Sequence, residues 1–360
     1  MPRKSKEHRE PNPSPAPRER GDRSRKRAVG EGLAKDSSQS PSPGSRRSSP
    51  SPEVRERDGE ATRCGFVALI GAPNAGKSTL LNQLVGHKLA IVTPKVQTTR
   101  TRLLGIAIEG QSQLIFVDTP GIFAPRRRLD RAMVAAAWAG AADADVTVLL
   151  VDAARAAQRG IDHDTKGIVE RLAANKRRAI LALNKVDLVR RDTLLALTEQ
   201  LNQPEPFAAT FMISALTGDG VGDLRAELAA RVPVGPWMYP EDQLATMPMR
   251  LLAAEFTREQ LFIQLHEELP YSLMVETEKW EEFKDGSVRI DQIVTVTRDS
   301  QKPIVLGKGG KRIKAVGEAA RAEIASVLDR KVHLFLHVQV RENWQEDPAR
   351  YRAMGLDFES

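Results

Sequence analysis

The chain has 360 residues, one cysteine and a formal charge of +7 at pH 7. This length predicts two folded domains, and the single cysteine excludes a disulfide framework or a cysteine metal cluster. No apolar run approaches the roughly 20 residues of a transmembrane helix. The N-terminus lacks the apolar core of a secretory signal and is too acidic for a typical mitochondrial presequence, so a cytoplasmic location is expected.

Residues 1–60 are rich in proline, serine and arginine and contain scarcely any large apolar side chain. Such a segment cannot bury enough surface to offset the entropy of ordering, which predicts a disordered extension. It carries 15 Lys and Arg against 10 Asp and Glu, so only +2 remains for residues 61–360. The extension is either a basic arm that contacts RNA or a solvated tail, and any nucleic-acid surface elsewhere must be a local patch.

A phosphate-binding loop follows the first predicted strand, residues 66–70, and precedes a predicted helix at 79–84. It fits the pattern G-x-x-x-x-G-K-[ST], in which the two glycines allow the backbone to approach an anion. The lysine is then expected near the β- and γ-phosphates, and the serine hydroxyl is expected to bind Mg²⁺. The loop consists of Gly71, Ala72, Pro73, Asn74, Ala75, Gly76, Lys77, Ser78 and Thr79.

A second polar stretch follows a predicted surface loop at 90–100 and a predicted hairpin of strands 103–108 and 113–117. It reads Asp118, Thr119, Pro120 and Gly121. A carboxylate at a strand end beside a phosphate loop can reach Mg²⁺ directly or through water, and the Gly121 N–H can donate to a γ-phosphate. Three arginines at 126–128 continue from this stretch in what is predicted to be a mobile loop.

A helix at 129–142 and strands at 146–151 and 179–183 are predicted next, and the last strand ends in Asn184, Lys185, Val186 and Asp187. The Asp187 carboxylate can accept from both guanine N1–H and the exocyclic amine. Adenine lacks that donor pair and would leave the carboxylate unpaired, at a cost of about 1–3 kcal/mol. Asn184 is expected to support the pocket and Lys185 to cover the base. A short strand, 211–213, leads to Ser214, Ala215 and Leu216, whose N–H groups are expected near guanine O6.

These stretches, in this order, resemble the five G motifs of translation-factor-class GTPases. The resemblance implies a threonine ligand to Mg²⁺ in the second motif, Thr99 first and Thr98 second. Lys77, Thr99, Gly121 and Asn74 are then the expected catalytic residues. Ile122 stands where small regulatory GTPases carry a water-orienting glutamine. Asn74 is therefore expected either to hold a K⁺ ion, as in related GTPases, or to brace the loop by hydrogen bonds.

A second domain is predicted after a closing helix at 224–231 and a linker at 233–248. Its pattern gives a helix at 249–269, strands at 272–278 and 288–297, a G-x-x-G loop, a helix at 311–328 and a strand at 332–341. This order is the arrangement of a type II KH domain, whose glycine loop clamps single-stranded RNA against an apolar groove. Arg298 and Lys302 add to a local basic cluster opposed only by Asp299. The expected RNA-binding residues are Ile304, Leu306, Gly307, Lys308, Gly309, Gly310, Lys311, Arg312 and Lys314.

From residue 63 to 358 the chain resembles the Era family of ribosome-assembly GTPases. The resemblance lies in Ala-Pro-Asn-Ala-Gly-Lys-Ser-Thr-Leu-Leu-Asn, Gln-Thr-Thr-Arg, Glu-Leu-Pro-Tyr-Ser and Ile-Val-Leu-Gly-Lys-Gly-Gly. It implies an α/β phosphate-loop GTPase domain with a mainly parallel sheet at 61–232, an α+β type II KH domain at 249–345, and a tail at 346–360. It further implies Mg²⁺ with GTP, and RNA-stimulated hydrolysis.

The partners that the resemblance implies are the 3′ end of 16S rRNA and the 30S subunit, with no DNA. A monomer that contacts the inner membrane peripherally is expected. Ala72 stands where the family often has arginine, and Gly309 replaces a more usual lysine, which shifts positive charge to Lys311. Two other classes stay open: a non-catalytic GTP-dependent RNA chaperone, and another ribosome- or tRNA-related GTPase. The single phosphate loop and the G-x-x-G argue against the second class.

Overall fold

The computed structural model describes residues 61–93, 95, 99, 103–125, 127–203, 205–266 and 269–359. Several sequence predictions lie outside these residues. They are the disorder of residues 1–60, the placement of Thr98 and the loop position of Arg126. Of the second G motif, residues 97–100, the structure describes Thr99 alone.

The first domain is built on a mainly parallel sheet. Its strands are β1 (Arg63–Gly71), β2 (Leu103–Glu109), β3 (Ser112–Asp118), β4 (Val146–Asp152), β5 (Ala179–Asn184) and β6 (Phe207–Ile213). Within the described residues they lie in the order β2-β3-β1-β4-β5-β6, and only β2 and β3 are antiparallel. The register pairs Leu69 with Asp118 and Asp152 with Asn184. The strand ends that carry the motifs therefore meet at one edge of the sheet.

Helices cover both faces of this sheet, because its central strands are apolar on both sides. One face packs against α1 (Lys77–Val85) and α6 (Val221–Arg231) through side chains such as Leu84 and Leu228. The other face packs against α2 (Arg128–Asp143), α3 (Ala153–Arg159), α4 (His163–Ala174) and α5 (Arg191–Asn202). This doubly wound arrangement confirms the fold class expected for the first domain.

The connecting segment (residues 233–248) lies against the first domain. It covers the free edge of β2, where the Ile106 N–H donates to the Leu244 carbonyl at 2.8 Å. The fully buried side chain of Gln113 bonds both the N–H and the carbonyl of Tyr239, at 3.0 and 2.8 Å. The segment predicted to be only a linker thus covers the unpaired edge of β2.

The second domain is a three-stranded sheet with helices on one face. Its elements are α7 (Met249–Gln264), β7 (Met274–Glu282), β8 (Val288–Val296), α8 (Gln301–Leu306), α9 (Lys311–Leu328) and β9 (Val332–Val340). Central β8 is antiparallel to β7 and parallel to β9. Val294, Val305 and Val316 pack in the core between sheet and helices. The order α-β-β-α-α-β confirms the KH fold.

The helices of this domain differ from the sequence predictions in two ways. Helix α8 is additional, and it places a helix immediately before the G-x-x-G loop. The helix predicted over residues 249–269 ends at Gln264, because Leu265 has extended backbone angles (φ −99°, ψ 152°) although its side chain continues the apolar pattern. A separate 3₁₀ turn, Leu269–Ser272, leads into β7.

The C-terminal tail contains helix α10 (Pro348–Ala353), which packs on the first domain. Tyr351 is fully buried in a cluster with Leu129 and Met133 of α2. The Arg128 guanidinium lies over the ring of Phe358, 4.4 Å from its centre. No helix within the described part of the chain is both long enough and apolar enough to cross a membrane.

Candidate nucleotide and RNA sites

The phosphate loop lies between β1 and α1 with the backbone turned tightly around its two glycines. Gly76 has φ 100°, and a Cβ atom there would lie 2.2 Å from the Asn184 side-chain nitrogen. A Cβ on Gly71 would lie 2.4 Å from the Leu150 carbonyl oxygen. Both positions therefore require glycine, as the pattern predicted.

Lys77 is buried beneath this loop. Its ammonium donates to the carbonyls of Gly71 and Ala72, at 3.0 and 3.1 Å. Burial lowers the pKa of Lys77 to about 8, and the nearby Asp118 carboxylate opposes that shift. A phosphate bound in the loop would raise this pKa again, because a nearby anion favours the charged form of the lysine.

Three side chains with oxygen atoms that can bind a metal ion converge beside the phosphate loop. Asp118 Oδ2 accepts from Ser78 Oγ at 3.1 Å and from Thr99 Oγ1 at 2.9 Å, and the two hydroxyls are 3.0 Å apart. Asp118 is fully buried, its Oδ1 has no hydrogen-bond partner among the described residues, and burial raises the pKa of its carboxyl. A hard cation would satisfy this orphaned oxygen and reverse the shift, so the residues present fit Mg²⁺.

The stretch after Asp118 closes against the phosphate loop. Thr119 Oγ1 donates to the Leu69 carbonyl at 2.7 Å, and the Ile122 N–H donates to the Gly71 carbonyl at 3.0 Å. Gly121 lies against Pro73, and a Cβ atom would be 3.0 Å from the proline ring. The Ile122 side chain is buried in the core and does not face the cleft. It offers no group to orient water, as its residue type predicted.

Asn184 holds three parts of the site together. Its side-chain nitrogen donates to the Ala75 carbonyl at 2.8 Å, and its oxygen accepts from the Ala215 N–H at 2.9 Å. The Ser214 N–H donates to the Asp219 carbonyl. The Ser214 and Ala215 N–H groups therefore have acceptors within the protein. The contact of Ser214, Ala215 and Leu216 with guanine O6 stays a prediction.

Lys185 and Asp187 extend from the end of β5. Lys185 has a left-handed backbone (φ 67°), and its ammonium is 2.5 Å from Asp152 Oδ2. Asp187 is exposed on a short 3₁₀ turn, Val186–Leu188, where its carboxylate is accessible to a base. The sequence patterns gave no role to Asp152, which directly follows the predicted strand at 146–151. The signal for its role is the register that pairs it with Asn184 on the neighbouring strand.

A cleft of about 670 Å³ lies over the phosphate loop. It is lined by Asn74, Lys77, Thr99 and Gly121, so the structure brings together all four expected catalytic residues. Arg155 and Arg159 of α3 also line it, although the sequence patterns did not indicate them. Their guanidinium groups add positive charge at the rim of a cleft suited to a nucleoside triphosphate.

The G-x-x-G loop joins α8 to α9. Its glycines at 307, 309 and 310 have φ values of 72°, 60° and 74°, and Arg312 braces the loop by donating to the Ile304 carbonyl at 2.7 Å. Ile304 is about half exposed, whereas Val305 beside it is buried. The lysines at 302, 308, 311 and 314 and Arg298 are exposed, which forms the predicted basic patch.

Comparisons with known proteins agree with both domains. Residues 66–185 match the family described as 50S ribosome-binding GTPase, and residues 268–345 match the KH domain. GTPase Era of Mesorhizobium japonicum is 60% identical over 306 residues, covering 85% of this chain and 97% of the relative. GTPase Era of Rhizobium meliloti is 61% identical over 297 residues, covering 82% of this chain and 94% of the relative.

Two solved Era structures are similar over 82% of this chain and 99% of theirs, with 34% identity and a TM-score of 0.76. One is a variant of Aquifex aeolicus Era bound to GDP and AlF4⁻. The other is Era in complex with MgGDPNP and nucleotides 1506–1542 of 16S ribosomal RNA.

Fold, cleft and comparisons together define a phosphate-loop GTPase with a C-terminal KH domain. The chain belongs to the Era GTPase family, and its first domain hydrolyses GTP. Family membership thus decides against the non-catalytic chaperone that the sequence alone left open.

Proposed function

We propose that GTP binding and hydrolysis time the holding and release of the 3′ end of 16S rRNA during 30S subunit maturation. The observation that carries this proposal is that one chain contains both parts of a switch. The Thr99 hydroxyl hydrogen-bonds Ser78 and Asp118 beside the phosphate loop. The G-x-x-G loop of the second domain has exposed lysines. The Era complex with MgGDPNP and a 16S rRNA fragment supports it. A GTP-sensitive loop and an RNA clamp are the two parts that such a timer needs.

In the nucleotide site, Ser78, Thr99 and Asp118 would hold Mg²⁺, which neutralises phosphate charge. Lys77 adds charge at the β- and γ-phosphates, the Gly121 N–H contacts the γ-phosphate, and Asp187 selects guanine. Asn74, exposed at the cleft mouth, would hold K⁺. Faster turnover in K⁺ than in Na⁺, lost in Asn74→Ala, supports this role, and equal turnover in the two salts contradicts it.

In the RNA site, the glycine loop would receive the RNA backbone, with bases against Ile304 and Leu306. The exposed lysines at 308, 311 and 314 supply charge that is attractive to phosphates and weakened by salt. Both domains belong to one chain, so the proposed RNA clamp and the GTP cleft are parts of the same molecule.

Single-turnover GTP hydrolysis by the full chain tests the proposal. The arms are an RNA with the 16S rRNA 3′ sequence, a scrambled RNA of equal length and no RNA. We expect only the authentic sequence to speed hydrolysis. Equal rates in all arms would contradict timing by this RNA. Crosslinking to cellular RNA followed by sequencing should place the main signal at the 3′ end of the small-subunit rRNA.

A matched pair of variants tests the clamp. Gly310→Asp and Gly310→Asn add side chains of similar size into open space, and both residues tolerate a left-handed backbone. Only Asp adds a negative charge, so its RNA affinity should fall about tenfold or more relative to Asn. Equal RNA affinity for the two variants would remove the G-x-x-G loop from the interface. Peripheral membrane contact and a monomeric state stay predictions.

A further inference from the structure

The segment that leads from α1 toward Thr99 lies on helix α7 of the KH domain. We name residues 88–93 the approach segment. Ile91 is buried in a cluster with Leu252 and Phe256 of α7. Beyond the segment, the Lys95 ammonium donates to the Phe262 and Leu265 carbonyls at the end of α7, where the helix dipole favours a cation.

Glu259 of α7 is the polar centre of this contact. It is 2% exposed, and both of its oxygens bond the approach segment. Oε1 accepts from the Val92 N–H at 2.7 Å, and Oε2 accepts from the Lys88 ammonium at 2.7 Å. Lys88 also pairs with Glu323 of α9.

Burying a carboxylate between two surfaces has a desolvation penalty, and an apolar side chain of similar size often stabilises such a contact as well or better. Glu259 instead fixes one backbone N–H and one side chain of the segment that leads into the magnesium-binding loop. Val92 precedes Thr99 by seven residues. The backbone that joins Val92 to Thr99 is the route by which Glu259 could act on the Thr99 hydroxyl.

We propose that Glu259 is a positioning residue for GTP hydrolysis, contributed by the KH domain and acting through Val92 on Thr99. On this proposal, the bonds from α7 to the approach segment keep the Thr99 hydroxyl on Asp118. The inference stands on GTP hydrolysis alone and does not require the RNA partner of the proposed function.

Three full-chain variants separate positioning from simple adhesion between the domains. Glu259→Ala removes both bonds to the approach segment. Glu259→Gln keeps an acceptor for the Val92 N–H and loses the charge opposite Lys88. Glu323→Gln weakens the other partner of Lys88 and leaves the Val92 bond intact, so it is the matched control.

The readouts are GDP affinity, single-turnover rate at saturating GTP, KM, and hydrogen exchange of the peptide that contains Val92 in the GDPNP-bound protein. Glu259→Ala should hydrolyse GTP about ten- to a hundredfold more slowly. Its GDP affinity should stay within about twofold of the unaltered protein. The hydrogen bonds of Glu259 to the approach segment go to Lys88 and Val92, neither of which is predicted to contact guanine or the phosphates. The peptide that contains Val92 should exchange faster. Glu259→Gln should recover most of the rate, and Glu323→Gln should match the unaltered protein.

Two results would overturn the proposal. One is a Glu259→Ala rate within about twofold of the unaltered protein. The other is an equal loss of rate in Glu323→Gln, since the charge on Lys88 would then be the cause rather than the hold on Val92. If Glu259→Ala does not fold, the isosteric Glu259→Gln decides by the exchange of its Val92 peptide: slow exchange with a retained rate supports the proposal, and fast exchange with a retained rate overturns it.

Discussion

At the scale of single residues, the proposed selection of guanine depends on one exposed carboxylate, that of Asp187. Asp187 lies on a turn closed by the backbone bond from the Leu188 N–H to the Lys185 carbonyl at 3.1 Å. Asp187→Asn should therefore fold normally and weaken GDP binding about ten- to a hundredfold, because an amide cannot accept from both guanine donors. Calorimetric titration with GDP and with xanthosine diphosphate measures the change.

Asp192→Asn is the control for this prediction, because it alters an exposed carboxylate five residues further along the chain. Its GDP affinity should equal that of the unaltered protein. An Asp187→Asn protein that binds GDP with undiminished affinity would place guanine recognition on other groups.

Cys64 is a chemical reporter of folding, because it is the only cysteine in the sequence and its side chain is 3% exposed. Burial raises the pKa of its thiol, so the reactive thiolate is scarce at pH 8. Native protein should react with iodoacetamide at least about a hundredfold more slowly than protein in urea. Mass spectrometry at timed intervals measures the alkylated fraction.

The raised pKa of the Cys64 thiol also makes the free energy of unfolding depend on pH. A raised pKa in the folded state means that the thiol stabilises the fold below its unfolded pKa. That contribution is lost as pH rises through the folded value. Rapid stoichiometric alkylation of native protein at pH 8 would contradict the burial of Cys64.

The motif residues were predictable from sequence because each local pattern carries its own chemistry. Lys77, Ser78 and Asp118 stand where the phosphate loop and the strand ends placed them. The ion pair between Lys185 and Asp152 was not predictable, since it depends on β4 and β5 being neighbours in register. The hydrogen bond from the Ser214 N–H to the Asp219 carbonyl was also not predictable, since no local pattern indicates it.

At the scale of elements, one fully buried amide makes several of the hydrogen bonds that hold the connecting segment. Gln113 bonds the Tyr239 backbone twice, and its oxygen also accepts from the Met238 N–H at 2.9 Å. Gln113→Leu leaves these backbone groups unpaired and should lower the free energy of unfolding by about 2–4 kcal/mol. Urea denaturation followed by circular dichroism measures the loss.

The control is Gln200→Leu, the same substitution on an exposed position of α5, which should change stability by less than about 0.5 kcal/mol. Equal midpoints for the two variants would mean that the segment is held by its other contacts.

Apolar runs predicted all nine strands of the described chain and the helices α1, α2, α6, α7 and α9, because buried strands and amphipathic helices have different periods. No helix was predicted at the positions of α3, α4 and α5. Helix α8 was missed because it is six residues long and contains Pro303. The pairing of the connecting segment with β2 was missed because it joins positions far apart in sequence, which no local pattern records.

At the scale of the whole molecule, the KH half of the chain contacts both regions of the first domain that flank the proposed magnesium site. Helix α7 holds the approach segment, and the C-terminal tail packs on α2, which follows the Asp118 stretch. Domain order was readable from the motifs. These contacts were not, because the apolar residues of α10 resemble those of any short surface helix.

The tail contact leads to a prediction for the stability of the molecule. Tyr351 is fully buried against α2, its ring meets Phe358 edge-on at 5.0 Å, and its hydroxyl donates to the Gln345 carbonyl at 2.8 Å. Tyr351→Ala removes the ring and leaves a cavity, so it should cost about 3–5 kcal/mol of unfolding free energy. Tyr351→Phe removes only the hydroxyl and should cost about 1 kcal/mol. Urea midpoints of the full chain measure both, and an Ala variant as stable as the Phe variant would show that the tail does not hold α2.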